Sequence, residues 1–204
     1  MNSSDRKPVA LITGVGPGTG SALVRRFVTG GYRVAMLARD AERLAGLEAE
    51  FPDARAFACD VSDSAAVAAV LARVRAELGA PAVLIHNAVA GGRASFLDMD
   101  PALLERGFQV NVMALLHLAR ALAPDMVAAG TGAIIVTGNT SSQRGRAPFA
   151  GLAPTKAAQR ILCESMAREL GPQGVHVAYV VIDAVIDVPW TRRAFAGKPD
   201  SFYM

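Results

Sequence analysis

The stretch Val9-Ala10-Leu11-Ile12-Thr13-Gly14-Val15-Gly16-Pro17-Gly18-Thr19-Gly20 decides the fold. Val9 to Thr13 reads as a strand buried on both faces. Gly14, Gly16, Pro17, Gly18 and Gly20 then break it, and helical spacing runs from Gly20 to Thr29. A helix that opens this way offers an anion its unpaired amides and the positive end of its dipole. Glycine suits such a turn because the backbone visits unusual φ/ψ and a side chain would hold it away from phosphates. The alternative, a merely flexible loop, fits poorly with a position between strand and helix.

Outward from this unit, short apolar runs alternate with helical ones. Val9 to Thr13, Arg33 to Leu37, Ala54 to Cys59, Ala82 to His86, Gly132 to Thr137 and His176 to Ile182 read as six strands. Gly20 to Thr29, Ala41 to Phe51, Asp63 to Leu78, Pro101 to Ala129 and Phe149 to Leu170 carry helical spacing. Asp100-Pro101 is a cap with proline at the first helical position, and Gly130 and Gly171-Pro172 are stops. Alternation of this kind predicts an α/β fold: a Rossmann-like, doubly wound parallel sheet in three α/β/α layers, joined by right-handed crossovers. Ligands of such sheets bind beyond the carboxyl ends of the strands.

The bounds agree. At 204 residues, 52% hydrophobic and 19% charged, the chain predicts one domain over residues 1–204. Each apolar run is cut by Gly, Pro or charge before roughly 20 residues, so no membrane span is expected. Met1 to Lys7 carries no leader pattern, which predicts a cytoplasmic protein. The formal net charge of +3 is scattered along helices, so nucleic acid is not an expected partner. Cys59 and Cys163 stand in no ligand or redox spacing; both read as reduced core thiols, with no disulfide and no metal. His86, His117 and His176 read as structural.

The glycine loop fits T-G-x-x-x-G-x-G at Thr13, Gly14, Gly18 and Gly20 in place of G-x-G-x-x-G. With Asp60 after the third strand, His86-Asn87-Ala88-Val89 after the fourth and Asn111 in the long helix, the chain resembles the short-chain dehydrogenase/reductase family over nearly its whole length. The resemblance implies an NAD(P)-dependent oxidoreductase. It implies that Thr13, Gly14, Gly18, Thr19 and Gly20 hold the pyrophosphate, that Asp60 and Val61 frame the adenine, that Asn87 and Ala88 line the cofactor, and that Asn111 supports an active-site water. Taken singly, Asp60 also reads as a helix cap, Asn87-Ala88 as a turn and Asn111 as a surface amide.

The second strand ends in Ala38-Arg39-Asp40. An arginine there grips a 2′-phosphate by paired charge-assisted bonds, which favours NADP(H) over NAD(H). Asp40 competes, either as a helix cap or by neutralising Arg39.

The catalytic segment departs from the family, whose Tyr-x-x-x-Lys lies on the helix after the fifth strand. Here Lys156 is present and implies a cofactor anchor, but Leu152 stands four residues earlier. Leucine donates no proton, whereas a placed acid contributes roughly 10²- to 10⁴-fold. The wider interval of enoyl reductases reaches Phe149, no better. The family's serine register falls on Asn139, followed by Thr140, Ser141 and Ser142 as candidate hydroxyls, with ordinary loop hydrogen bonding as the alternative. Ile182-Asp183 replaces the family's Pro-Gly, and Asp183 is a candidate acid if it is buried, otherwise an orienting group or cap.

This pattern is similar to an atypical branch that lacks the tyrosine, as are Ser165 to Pro172 and Val180 to Asp183. Relative to the family the tail after Trp190 looks short and the seventh strand absent, which predicts the sixth strand at an exposed edge. Extra apolar positions such as Leu115, Leu116, Leu118, Ile161 and Leu162 predict a homodimer or homotetramer through helices 101–129 and 149–170. Two functions follow. One is hydride transfer between NADP(H) and a small carbonyl, hydroxyl or activated alkene, and the other a catalytically impaired nucleotide-binding scaffold.

Overall fold

A computed structural model of the chain describes residues 7–204; the leaderless reading of the first residues concerns mainly 1–6, which lie outside them. Six parallel strands form one sheet: β1 (Val9–Thr13), β2 (Arg33–Ala38), β3 (Ala54–Ala58), β4 (Pro81–His86), β5 (Gly132–Asn139) and β6 (Val175–Ile182). Their order is β3-β2-β1-β4-β5-β6. The switch between β1 and β4 sets Thr13 beside His86 in register. β6 is at the edge, beyond β5, and Val180 and Val181 are exposed there.

The central strands β1, β2 and β4 are covered on both faces, as their apolar composition requires. One core gathers Leu11, Phe57, Leu84, Leu115, Leu118 and Ile134; the other gathers Ile12, Val24, Met36, Leu44 and Ile85. The helices are α1 (Thr19–Thr29), α2 (Ala41–Glu50), α3 (Ser64–Glu77), α4 (Pro101–Phe108), α5 (Ala114–Ala129), α6 (Ala153–Leu170) and α7 (Pro189–Ala194). Between α4 and α5 the backbone keeps turning, with π spacing over Gln109–Met113. The Pro101–Ala129 rod is 29 residues long and, by length and composition alone, apolar enough to cross a membrane, although Arg106, Arg120 and Asp125 interrupt its apolar runs. It meets the sheet through Leu115, Leu118, Leu122 and Met126, which accounts for much of that apolarity.

One boundary differs from the sequence reading by more than two residues. The last long helix begins at Ala153 and not Phe149, because Phe149 to Leu152 forms a turn and Pro154 suits the first helical turn. It ends at Leu170, as the Gly171-Pro172 stop predicts; a tight 3₁₀ turn then runs to Gln173, and left-handed Gly174 (φ 84°) follows. α7 was not foreseen.

Candidate functional site

β1 delivers its chain into the glycine turn, and the space there excludes side chains. Gly14 has φ +67°, and a Cβ on it would lie 2.5 Å from the backbone of Ala88. One on Gly20 would lie 2.6 Å from the Gly14 carbonyl, and one on Gly18 would lie 2.7 Å from Val188 and 2.9 Å from Ile186. Thr19, half-buried, opens α1. The capping of this helix differs from that of its neighbours. Asp40, Asp63 and Asp100 accept amide hydrogen bonds at the starts of α2, α3 and α4, but α1 has no side-chain cap and no acid in its first turn. Its leading amides therefore suit an anion.

Thr13 and His86 lock this turn to the segment after β4. The His86 ring is fully buried and touches Thr13 Oγ1 through Nδ1 and the Val110 carbonyl through Nε2, each at 3.0 Å. A carbonyl only accepts, so Nε2 carries the hydrogen and Thr13 donates to Nδ1. Thr13 Oγ1 then accepts the amides of Asn87 and Ala88 at 3.2 and 3.3 Å. Burial, helped by the Lys156 charge, pushes the imidazole down to about 3. It is neutral at physiological pH, in keeping with a structural role.

Asn87 reaches back to the Gly14 carbonyl (2.8 Å) and accepts from Thr137 (2.9 Å). Asn111 is fully buried and not a surface amide. Its carboxamide pairs with both backbone groups of Ala90 and donates to Thr155 at 2.8 Å. Lys156 is 2% exposed; its ammonium donates to Thr137 O (3.2 Å) and Gln159 Oε1 (2.9 Å). Burial draws it down to about 8, opposed by Cys163.

Asp60 is not the cap of α3; Asp63 is. Its carboxylate takes Ser62 on one oxygen and Arg106 on the other at 2.7 Å. Partial burial opposes, but the Arg106 guanidinium and the Ser62 donors hold it down to about 2. Val61 beside it is buried. At the end of β2, Asp40 caps α2 and pairs with Arg43 at 2.9 Å, so it does not neutralise the exposed Arg39.

The remaining candidates sit less centrally. Leu152 precedes α6 and gives its carbonyl to Lys156 N and Thr155 Oγ1, while its side chain faces Gly91. Ser142 is buried and donates to Asn139 O at 2.8 Å, and the Ser141 amide donates to the Asn139 side chain. Both serve the turn after β5, as ordinary loop bonding would have it. Ser141 and Ser142 also line a cleft of about 880 Å³ with Arg144, Arg146 and Phe149, which Lys156 and Leu152 do not line. Asp183 is exposed and accepts from Thr140 at 3.3 Å; it is not the buried carboxyl an acid role asked for. Gln159, fully buried, was missed by the sequence reading, although it lies one helical turn beyond Lys156.

The model of the short chain dehydrogenase family matches residues 8–196. The D-erythrulose reductase of Gallus gallus is 36% identical over 170 residues, 82% of this chain and 67% of that protein. The 7alpha-hydroxysteroid dehydrogenase of Escherichia coli K12 is 29% identical over 181 residues, 87% of this chain and 71% of that protein. Among solved structures, a metagenomic short-chain oxidoreductase in complex with NADP superposes with a TM-score of 0.83 at 34% identity, covering 91% of this chain and 87% of that one. A gluconate 5-dehydrogenase from Burkholderia cenocepacia, solved with NADP and tartrate, gives 0.85 at 28% identity, covering 97% and 78%.

Proposed function

This chain belongs to the short-chain dehydrogenase family, and from that premise we propose that it binds NADP(H) and transfers hydride between it and a small carbonyl, hydroxyl or activated alkene compound. One observation carries the reading: the uncapped α1 behind glycines whose Cβ positions are filled by Ala88, Gly14 and Ile186, joined through Thr13 and Asn87 to Lys156. The fit is to a pyrophosphate on the α1 amides.

In this reading Thr13, Gly14, Gly18, Thr19 and Gly20 shape the phosphate turn. Asp60 and Val61 border the adenine, Arg39 takes the 2′-phosphate, Asn87 and Ala88 line the nicotinamide side, and Lys156 holds the nicotinamide ribose. NAD(H) fits the same turn but gains nothing from Arg39, so it binds more weakly. Both relatives solved with NADP support the preference. The bound nicotinamide supplies the hydride; this chain's residues supply orientation and charge. Asn111 braces the segment after β4 through Ala90. Ser141 and Ser142 shape the turn after β5, and Asp183 orients it through Thr140.

A second reading rests on Leu152: at the family's tyrosine position it leaves the site without a proton donor, and the chain then serves as a nucleotide-binding scaffold. Either way, we assign a single domain and a cytoplasmic protein in which Cys59 and Cys163 stay reduced. We also assign a homodimer or homotetramer through helices 101–129 and 149–170, where Phe108 and Ile161 are exposed. Titration with NADPH and NADH, followed by nicotinamide fluorescence and melting temperature, tests the function. NADPH binding tighter than NADH is expected; binding of neither overturns it.

A further inference from the structure

Gln159 is buried on α6, and both ends of its carboxamide are used. Oε1 accepts from Lys156 Nζ at 2.9 Å, and Nε2 donates to the Asn111 carbonyl at 2.6 Å. The amide has one orientation here, since only its oxygen can receive an ammonium and only its NH₂ can serve a carbonyl. Asn111 lies in the π-spaced run, where the hydrogen-bond ladder widens and a carbonyl can find a partner off the helix. Lys156 gives a second hydrogen to Thr137 O at the end of β5. Two of the three ammonium hydrogens are thus fixed by the floor of the site, and the third is left over.

We infer that Gln159 is a positioning residue for Lys156: its carboxamide clamps the ammonium between β5 and the π-spaced run, keeping it charged and holding one N–H for a ligand. That the ligand is the nucleotide ribose rests on the function proposed above; the clamp itself does not. The groups facing Lys156 leave the work to Gln159. His86 on β4 is a neutral ring, and Cys163 on α6 is pushed up to about 12 by burial and stays a thiol. The Tyr179 hydroxyl on β6 donates to the Lys156 backbone carbonyl at 3.4 Å and not to its ammonium. Among the described residues no carboxylate pairs with Nζ, and the oxygens of Gln159 and Thr137 that accept its hydrogens favour the charged form.

The test compares the full chain with Gln159→Leu and Gln159→Glu. Lys156 is titrated by side-chain NMR without nucleotide, its signal assigned by its loss in Lys156→Arg. The ammonium loses its proton as pH rises through about 8 in the wild type. Removing the acceptor lowers that midpoint by about one pH unit, and a carboxylate in its place raises it by at least as much. A Gln159 that only fills space predicts the same midpoint in wild type and Gln159→Leu, and that result overturns the clamp. Should Gln159→Leu not fold, Gln159→Met, which keeps the length of the side chain and removes the acceptor, takes its place in the same comparison. NADPH affinity measured from pH 6 to 10 then tests the ligand. The loss of affinity should follow the NMR midpoint in each protein, leaving Gln159→Leu about tenfold weaker than wild type above the wild-type midpoint. If NADPH binds wild type at no pH, the nucleotide reading fails while the NMR result stands on its own.

Discussion

The glycine turn between β1 and α1 and the catalytic segment from Asn139 to Lys156 lie at the same end of one sheet, yet they follow different rules. In the turn, backbone meets backbone: Gly14 against Ala88 and Gly20 against Gly14 leave no room for substitution while the sheet order lasts. In the catalytic segment, the groups that matter are side chains the fold does not require. Leu152 before α6 gives its carbonyl to Lys156 N whatever its side chain is. The fold therefore enforces nucleotide geometry but not proton chemistry, and one can persist while the other changes.

Leu152→Tyr puts the most strain on this contrast. If the segment differs from an ordinary reductase only by the missing donor, the variant should raise NADPH-dependent turnover of a panel of small ketones by about 10²- to 10⁴-fold. An unchanged rate would mean that Asn139, in place of a serine, disables the site as well, or that the proton comes from elsewhere.

The next largest effect belongs to the His86 lock, which couples the two regions. Its folded-state value of about 3 lies far below the roughly 6.5 of an unfolded histidine. Between these values the unfolded chain binds the extra proton, so the stability this neutral ring secures is complete above pH 6.5 and drains away as pH falls towards 3. Denaturant melts at pH 7 and 4.5 should differ by roughly 2–3 kcal/mol from this group. His86→Gln should flatten that slope, even though it starts from a less stable protein. An equal slope in both proteins would show that the lock opens to water.

These effects differ in how far they could be read from sequence. The turn was legible because its requirements are local: strand, glycines and helix follow one another in the chain. The place of Arg39 at the end of β2 was legible for the same reason, but the fate of Asp40 was not, since whether it turned to Arg43 or to Arg39 depends on how α2 begins. The His86 contacts join residues 73 and 24 positions apart, and Asp60 meets Arg106 from 46 away. No periodicity encodes such pairs. Gln159 left a visible trace, a polar residue one turn from Lys156 facing inward, but its partner Asn111 is 48 residues distant. The turn from Phe149 to Leu152 was misread because its apolar residues continue the helical spacing of α6.

Arg39→Ala sharpens the comparison from the nucleotide side. A guanidinium on phosphate contributes about 1.5–3 kcal/mol, and Arg39 is exposed, so the lower end applies. NADPH should weaken by about tenfold while NADH stays unchanged. Equal losses for both would assign Arg39 to the shape of the turn instead of to the 2′-phosphate.

Asp60→Asn gives the smallest effect and separates the two acid sensitivities. The Asp60 carboxyl is held near 2 against roughly 3.9 unfolded, so its contribution is present above pH 4 and is lost as pH falls through 2. Both partners of its ion pair with Arg106 are more than a third exposed, which keeps the contribution below about 1 kcal/mol. Acid titration of wild type should thus show a major loss beginning near pH 6.5, which His86→Gln removes, and a minor one below pH 4, which Asp60→Asn removes. The two windows meet only near pH 3 to 4. If Asp60→Asn flattens the upper window as well, the Asp60–Arg106 pair and the His86 bond to Val110 share one cooperative element, and α4 with the π-spaced run that follows it would be that element.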